Sequence, residues 1–167
     1  NSIVRGYINR YTDSRYGTIS RILGMSQYYF PLIEDELLKE GLPIELRALP
    51  IIESALSVTA VSPMGAVGLW QFMPSTGKSY GLEVNSLVDE RRDPVRSTQA
   101  ACRYLKDLYA IYKDWSLAIA AYNCGPGNVN KALARAGEKS RTFWDIYDYL
   151  PRETRGYVPA FIGASYA

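Results

Sequence analysis

Residues 52–74 read IESALSVTAVSPMGAVGLWQFMP, and this stretch decides how the chain is interpreted. It starts with the end of an apolar helix and continues as a loop rich in glycine and other small residues. Residues 54–81 contain no acidic residue and a single basic one, Lys78. Glu53 is therefore a carboxyl group at a helix end, beside a long uncharged segment.

This position predicts a raised pKa for Glu53. Desolvation disfavours the charged form of a carboxyl group, and the negative end of the helix dipole acts in the same direction. A carboxylic acid that stays protonated near neutral pH is what cleavage of a glycosidic bond requires, because the leaving oxygen must receive a proton. Physical chemistry alone leaves open that Glu53 is an ordinary exposed residue at a helix end.

The chain around this stretch shows helical periodicity nearly throughout. We therefore predict an all-α fold with at most a trace of β structure near residues 57–72. Gly41 ends one helix, and Pro43 starts the next, which reaches Glu53. Further helices begin or end at Asp93-Pro94, Asp114, Gly125-Pro126-Gly127, Gly137, Thr142 and Pro151.

Length and composition indicate one soluble globular domain spanning residues 1–167, since 47% of the residues are apolar and 22% are charged. The net charge is +2 without a dense Lys/Arg run, so no nucleic-acid partner is expected. No apolar run approaches the roughly 20 residues that span a bilayer. We expect a mature or excised fragment whose membrane anchor and neighbouring domains lie outside this chain.

Histidine is absent from the chain. This excludes Ser-His-Asp and Cys-His catalysis and most zinc chemistry, and no metal or cofactor is expected. Proton transfer at neutral pH must then use a carboxyl, lysine, tyrosine or cysteine side chain.

Several ordered motifs resemble those of the lytic transglycosylase family, over about residues 2–161. The motifs are Glu53-Ser54, Ser62, Gly65-Ala66-x-Gly68-Leu69-Trp70-Gln71-Phe72-Met73-Pro74-x-Thr76 and Ala121-Tyr122-Asn123-x-Gly125. Within these motifs the form Trp70-Gln71-Phe72 resembles membrane-bound members in particular, and so do two further motifs: Asp89-x-Arg91-Arg92-Asp93 and Leu150-Pro151-Arg152-Glu153-Thr154-Arg155-x-Tyr157-Val158-Pro159.

The resemblance implies a lysozyme-like α-helical domain that acts as a monomer on peptidoglycan strands in the periplasm. It would cleave the β-1,4 bond between N-acetylmuramic acid and N-acetylglucosamine, leaving 1,6-anhydro-N-acetylmuramic acid ends. Two alternatives stay open: a hydrolase resembling goose-type lysozyme, and a glycan-binding module without catalysis.

The resemblance also implies roles for individual residues. Glu53 is the catalytic acid, Ser62 hydrogen-bonds the acid or its substrate, Gly68, Gln71 and Met73 line the saccharide groove, and the Tyr122 hydroxyl contacts the catalytic carboxyl with Asn123 beside it. Each supporting residue also has a structural interpretation. Ser62 suits a turn, Gly68 an unusual backbone angle, Met73 a core and Tyr122 a buried aromatic cluster.

The resemblance implies that one acid, Glu53, serves both steps of the reaction. Ordinary glycosidases use two carboxyl groups, and the lack of a second acid near Glu53 in sequence agrees with a scheme that needs only one. A more distant residue could still fold back into the groove. A hydrolase would need such a carboxylate to activate water, and Glu83, Asp89 and Asp93 are the candidates.

The two cysteines, Cys102 and Cys124, lie equally far from the turn at Lys113-Asp114. In an antiparallel helical hairpin, residues equidistant from the turn lie level with each other. We therefore predict a disulfide between them, with two buried free thiols as the alternative.

Overall fold

The computed structural model describes residues 2–6 and 16–166, and residues 2–6 are helical. Seven α-helices follow: α1 (Tyr16–Lys39), α2 (Leu49–Ser54), α3 (Pro74–Ser79), α4 (Pro94–Tyr112), α5 (Trp115–Cys124), α6 (Pro126–Ala136) and α7 (Arg152–Tyr166). Short 3-10 helices occupy Ile44–Ala48, Glu90–Arg92 and Tyr147–Tyr149. Within the described residues, β structure is limited to isolated bridges, two of which join Val61 to Val67 and Val67 to Phe72. The predicted all-α class with a trace of β structure is confirmed.

Most helix ends lie where the capping residues predict them. The Asp93 carboxylate accepts hydrogen bonds from the first amides of α4, and Asp114 accepts one from the amide of Leu117 in α5. Gly41 and Gly137 follow α1 and α6 with positive φ angles of 67° and 98°. Local capping chemistry is thus sufficient to place these helices.

Two of the predicted helices differ from the structure. The chain after Pro43 forms a 3-10 helix before α2 begins, because Pro50 has no amide hydrogen to continue a single helix. At Thr142 the capping hydrogen bond to the Asp145 amide forms, yet no α-helix follows it. In place of an α-helix, the chain forms the short 3-10 helix at Tyr147–Tyr149, and the Arg155 side chain binds the backbone carbonyls of residues 148 and 150.

Helix α5 lies at the centre of the core. All residues from Leu117 to Ala121 are buried, and small side chains let α4, α6 and α7 pack closely around the helix. The fully buried Trp70 donates a hydrogen bond from its indole nitrogen to Thr98 of α4 at 2.9 Å. This bond fixes the loop that follows α2 against the helical core.

Cys102 and Cys124 are free thiols in the structure. Helices α4 and α5 form the predicted hairpin, but Cys102 is buried on the side of α4 that faces α1, close to Glu36. Cys124 interacts with Tyr104 of α4, and position 104 lies about 200° around the helix from position 102. The predicted disulfide is therefore not formed, because equal distance from the turn does not make both side chains face each other.

Among the described residues, no helix combines the length and the apolar character needed to cross a bilayer.

Candidate active site

A cleft of about 730 Å³ lies where the loop after α2 meets α4, α5 and the first turns of α7. It is lined by Ile52, Glu53, Ser62, Pro63, Met64, Ala66, Gln71, Phe72, Met73, Ser75, Thr76, Tyr104, Tyr122, Asn123, Cys124, Gly125, Glu153 and Tyr157. Glu53 and Glu153 are the only charged residues in this lining.

Glu53 occupies the last turn of α2, where the helix is stopped sharply. Ala55 and Leu56 both adopt left-handed φ angles, 50° and 61°, and the Leu56 side chain is fully buried. The Ser54 hydroxyl bonds the carbonyl of Leu69 at 2.9 Å and so ties the helix end to the loop. Burial of Leu56 offsets the cost of the unusual backbone, and the position of Glu53 at the cleft is fixed.

The Glu53 carboxyl is held from one side. Tyr157 donates a hydrogen bond from its hydroxyl to Oε1 of Glu53. Among the described residues Oε2 of Glu53 has no hydrogen-bond partner. Every fully buried side-chain oxygen or nitrogen of these residues does have a partner, so Oε2 must be in contact with solvent. Oε2 is therefore the oxygen available to a substrate in the cleft.

Burial raises the pKa of Glu53 from its ordinary 4.5 to about 7. The hydrogen bond from Tyr157 lowers the pKa, and the negative charge of Glu153 raises it further. The raised pKa expected from the sequence is present, and desolvation is its main cause. Near neutral pH this carboxyl can both give and accept a proton.

Tyr157 is a site residue that the sequence did not single out. It lies on α7, 104 positions after Glu53, and its place in the closing motif was the only signal available. The tyrosine expected in this role, Tyr122, instead donates its hydroxyl to the carbonyl of Trp70 at 2.8 Å. Its ring packs against Phe72 and lines the cleft, so Tyr122 shapes the site without bonding Glu53.

Four further predicted residues lie at the cleft with differing contacts. The Ser62 hydroxyl accepts the Ala66 amide at 3.0 Å and makes no bond to Glu53. Gln71 has a positive φ of 51°, and its side-chain nitrogen donates to two carbonyls of its own loop. Met73 is 39% exposed on the cleft wall. Asn123 accepts a hydrogen bond from the Thr154 hydroxyl at 2.8 Å.

Gly68 lies behind the residues that line the cleft, so its expected place in the saccharide groove stays a prediction. Its φ is 86°, and a Cβ at this position would lie 1.9 Å from the carbonyl oxygen of Arg91. The position requires glycine because two backbone segments approach closely there.

The three carboxylates proposed as water activators all lie outside the cleft lining. Asp89 forms a salt bridge with Arg91, which lowers the pKa of Asp89, and Asp93 caps α4. The second carboxylate in the cleft is Glu153, exposed in the first turn of α7. The sequence shows no sign that Glu153 lies near Glu53, because 100 positions separate the two residues.

Within the described residues no three His, Cys, Asp or Glu side chains are grouped closely enough to hold a metal ion.

Comparison with known proteins identifies the family to which this fold belongs. Residues 31–144 match the family described as Transglycosylase SLT domain. The chain is 43% identical over 140 residues to membrane-bound lytic murein transglycosylase D of Escherichia coli K12, which covers 82% of this chain and 30% of that protein. Identity to the soluble lytic murein transglycosylase of the same strain is 32% over 111 residues, covering 64% and 17% of the two chains.

Among solved structures, the 70-kDa soluble lytic transglycosylase of Escherichia coli superimposes with a TM-score of 0.70 at 26% identity. The match covers 82% of this chain and 23% of that one, and it confirms the predicted fold class. The chain spans less than a third of the length of these relatives. Since the family match covers well over half of its residues, the chain belongs to the transglycosylase SLT domain family.

Proposed function

We propose that this chain is a single catalytic domain that cleaves the β-1,4 bond between N-acetylmuramic acid and N-acetylglucosamine in peptidoglycan without consuming water. The observation that carries the proposal is the Glu53 carboxyl, which has a pKa of about 7 and an unbonded Oε2 at the cleft. The names of its relatives, which are murein transglycosylases, support the same substrate class.

In the first step, protonated Glu53 gives its proton from Oε2 to the glycosidic oxygen. The bond between that oxygen and C1 of the muramic acid breaks, its electron pair leaves with the oxygen, and C1 becomes oxocarbenium-like. Because Tyr157 donates to Oε1, the proton is favoured on Oε2, which faces the substrate. Tyr157 thus acts on the acid through its orientation.

In the second step, the Glu53 carboxylate takes the proton of the C6 hydroxyl on the same sugar. The C6 oxygen bonds to C1, which closes the 1,6-anhydro ring and returns Glu53 to its protonated form. The apolar cleft residues Phe72 and Met73 and the Tyr122 ring limit access of water to C1.

A second candidate function, hydrolysis, is favoured by one observation: the presence of Glu153 in the cleft. An exposed carboxylate there could activate water for attack on C1, as in glycosidases with two acidic residues. The two reactions differ in their products, since hydrolysis adds one water and leaves a reducing end.

Digestion of purified peptidoglycan by the wild type, Glu53→Gln and Glu153→Gln, followed by mass analysis, separates the candidates. We expect anhydro products from the wild type and from Glu153→Gln, and none from Glu53→Gln. Reducible fragments that carry an added water and disappear in Glu153→Gln would establish hydrolysis. A folded wild type that binds peptidoglycan and releases nothing would establish a binding module.

We further propose that the domain works as a monomer in the periplasmic cell envelope, in keeping with the membrane-bound relative. Sedimentation of the purified chain and fractionation of cells that contain the full-length protein test these two points.

A further inference from the structure

Arg91 belongs to a motif that the proposed reaction does not use, Asp89-x-Arg91-Arg92-Asp93. Its side chain is only 7% exposed, although it carries a charge, and it lies outside the cleft lining. Buried charges in proteins are retained where they are paired and hydrogen-bonded, so the contacts of this guanidinium indicate what it holds in place.

One side of the guanidinium is bound by Asp89. Nε donates to Oδ1 and Nη2 donates to Oδ2 of this carboxylate, both at 2.8 Å. Such a two-point pair fixes the plane and direction of the group. Nη1 is consequently aimed away from Asp89.

Nη1 bonds the cleft loop at two places. It donates to the carbonyl of Gly65 at 2.9 Å and to the carbonyl of Phe72 at 3.0 Å. The backbone of Arg91 also approaches this loop, and its carbonyl oxygen leaves no room for a side chain at Gly68. A Cβ added at Gly77 of α3 would lie 3.4 Å from Cγ of Arg91, so the aliphatic part of Arg91 also passes close to this helix.

The two bonded carbonyls adjoin the residues that form one wall of the cleft. Met64 and Ala66 flank Gly65, while Gln71 and Met73 flank Phe72, and all four line the cleft. Among the described residues, the other side-chain hydrogen bonds between the loop from Ala60 to Met73 and the rest of the fold lie at Leu69 and Trp70. The hydroxyls of Ser54 and Tyr122 bind the carbonyls of these two residues, and the Trp70 indole binds Thr98. Of these contacts, those of Arg91 are the ones made to the carbonyls of Gly65 and Phe72, beside the cleft wall.

We infer that Arg91 is a positioning residue, which holds the cleft wall formed by residues 64–66 and 71–73 in the geometry that binds the glycan strand, without touching the substrate. This inference rests on the proposed function. Lysine could not replace Arg91, because a single ammonium group cannot span the Asp89 carboxylate and two separate carbonyls.

Arg91→Lys tests the inference, and Arg96→Lys is its matched control. Arg96 pairs with Glu90 at the exposed surface and makes no bond to the loop. With soluble un-cross-linked glycan strands as substrate, we expect KM to rise and kcat/KM to fall by about 10–10²-fold in Arg91→Lys, the cost of a displaced binding wall. The pH at which activity declines should stay as in the wild type, because Glu53 keeps its surroundings.

Hydrogen exchange gives a second readout that does not depend on catalysis. The amides of Ala66, Val67 and Gly68, which are bonded within the loop, should exchange faster in Arg91→Lys, while α5 amides keep their protection. A lower Tm with unchanged KM and unchanged loop exchange would overturn the inference and leave Arg91 a stability residue. If Arg91→Lys does not fold, Asp89→Asn carries the same measurements.

An inactive wild type would refute the proposed function alone. In that case the exchange rates still decide whether Arg91 orders the loop.

Discussion

Replacing Glu53 with glutamine should make the stability difference between variant and wild type depend on pH. A group whose pKa is 4.5 when unfolded and about 7 when folded binds more protons in the folded state between those values. The contribution of Glu53 to the free energy of unfolding is therefore largest below pH 4.5 and is lost as pH rises through 7. The loss is about 1.4 kcal/mol per pH unit and roughly 3 kcal/mol in total. Glutamine does not titrate, so the variant escapes this loss.

Urea unfolding of both proteins at several values between pH 4 and pH 9 measures the effect. The free energy of unfolding of Glu53→Gln minus that of the wild type should increase with pH and level off above pH 7. Other titrating groups largely cancel in this difference because the proteins differ at one position. The same change at the exposed Glu138 is the control for a loss of charge.

The Glu53→Gln variant should lose activity although it gains stability. Glu53→Gln should lose at least about 10²-fold in rate, since positioned acid–base groups contribute about 10²–10⁴-fold and here one group serves both steps. A stability difference that is flat or falls with pH would refute the raised pKa. A folded variant with near-native turnover would refute the role of Glu53 as the acid.

Three further outcomes are expected. Tyr157→Phe removes a hydrogen bond that lowers the pKa of the acid, so its pH–rate profile should decline at a pH about one unit higher than in the wild type, at reduced kcat. Gly68→Ala should lower Tm far more than Gly65→Ala: both have a positive φ, but only at position 68 would the new Cβ meet a backbone oxygen. Cys102 and Cys124 should both be alkylated in denaturant without reductant, visible as two added groups in the intact mass; no addition would mean a bridge.

Local chemistry explains which features the sequence predicts correctly. The caps at Asp93 and Asp114 act on amides two or three residues away, so they are readable from the chain. The raised pKa of Glu53 is equally predictable, because the absence of charge from the segment after Glu53 is visible in the sequence.

Long-range contacts explain what the sequence does not predict. Tyr157 and Glu153 reach Glu53 only because α7 packs across the end of α2, more than 90 positions later. Which tyrosine binds Glu53 depends on packing: the Tyr122 hydroxyl reaches the carbonyl of Trp70, and the Tyr157 hydroxyl reaches the Glu53 carboxyl. Such assignments depend on packing and not on the order of motifs.

The balance of effects at Glu53 suits a mechanism with one acid. The first step requires the protonated carboxyl and the second requires the carboxylate, so a pKa far from the working pH would weaken one of them. Desolvation and the charge of Glu153 favour the protonated form, and the Tyr157 hydroxyl favours the ionised one. Because these effects oppose each other, the pKa lies near 7, where both forms are populated. In the proposed anhydro-forming reaction Glu153 would contribute through its charge, which helps to keep Glu53 protonated, and would not need to act as a base.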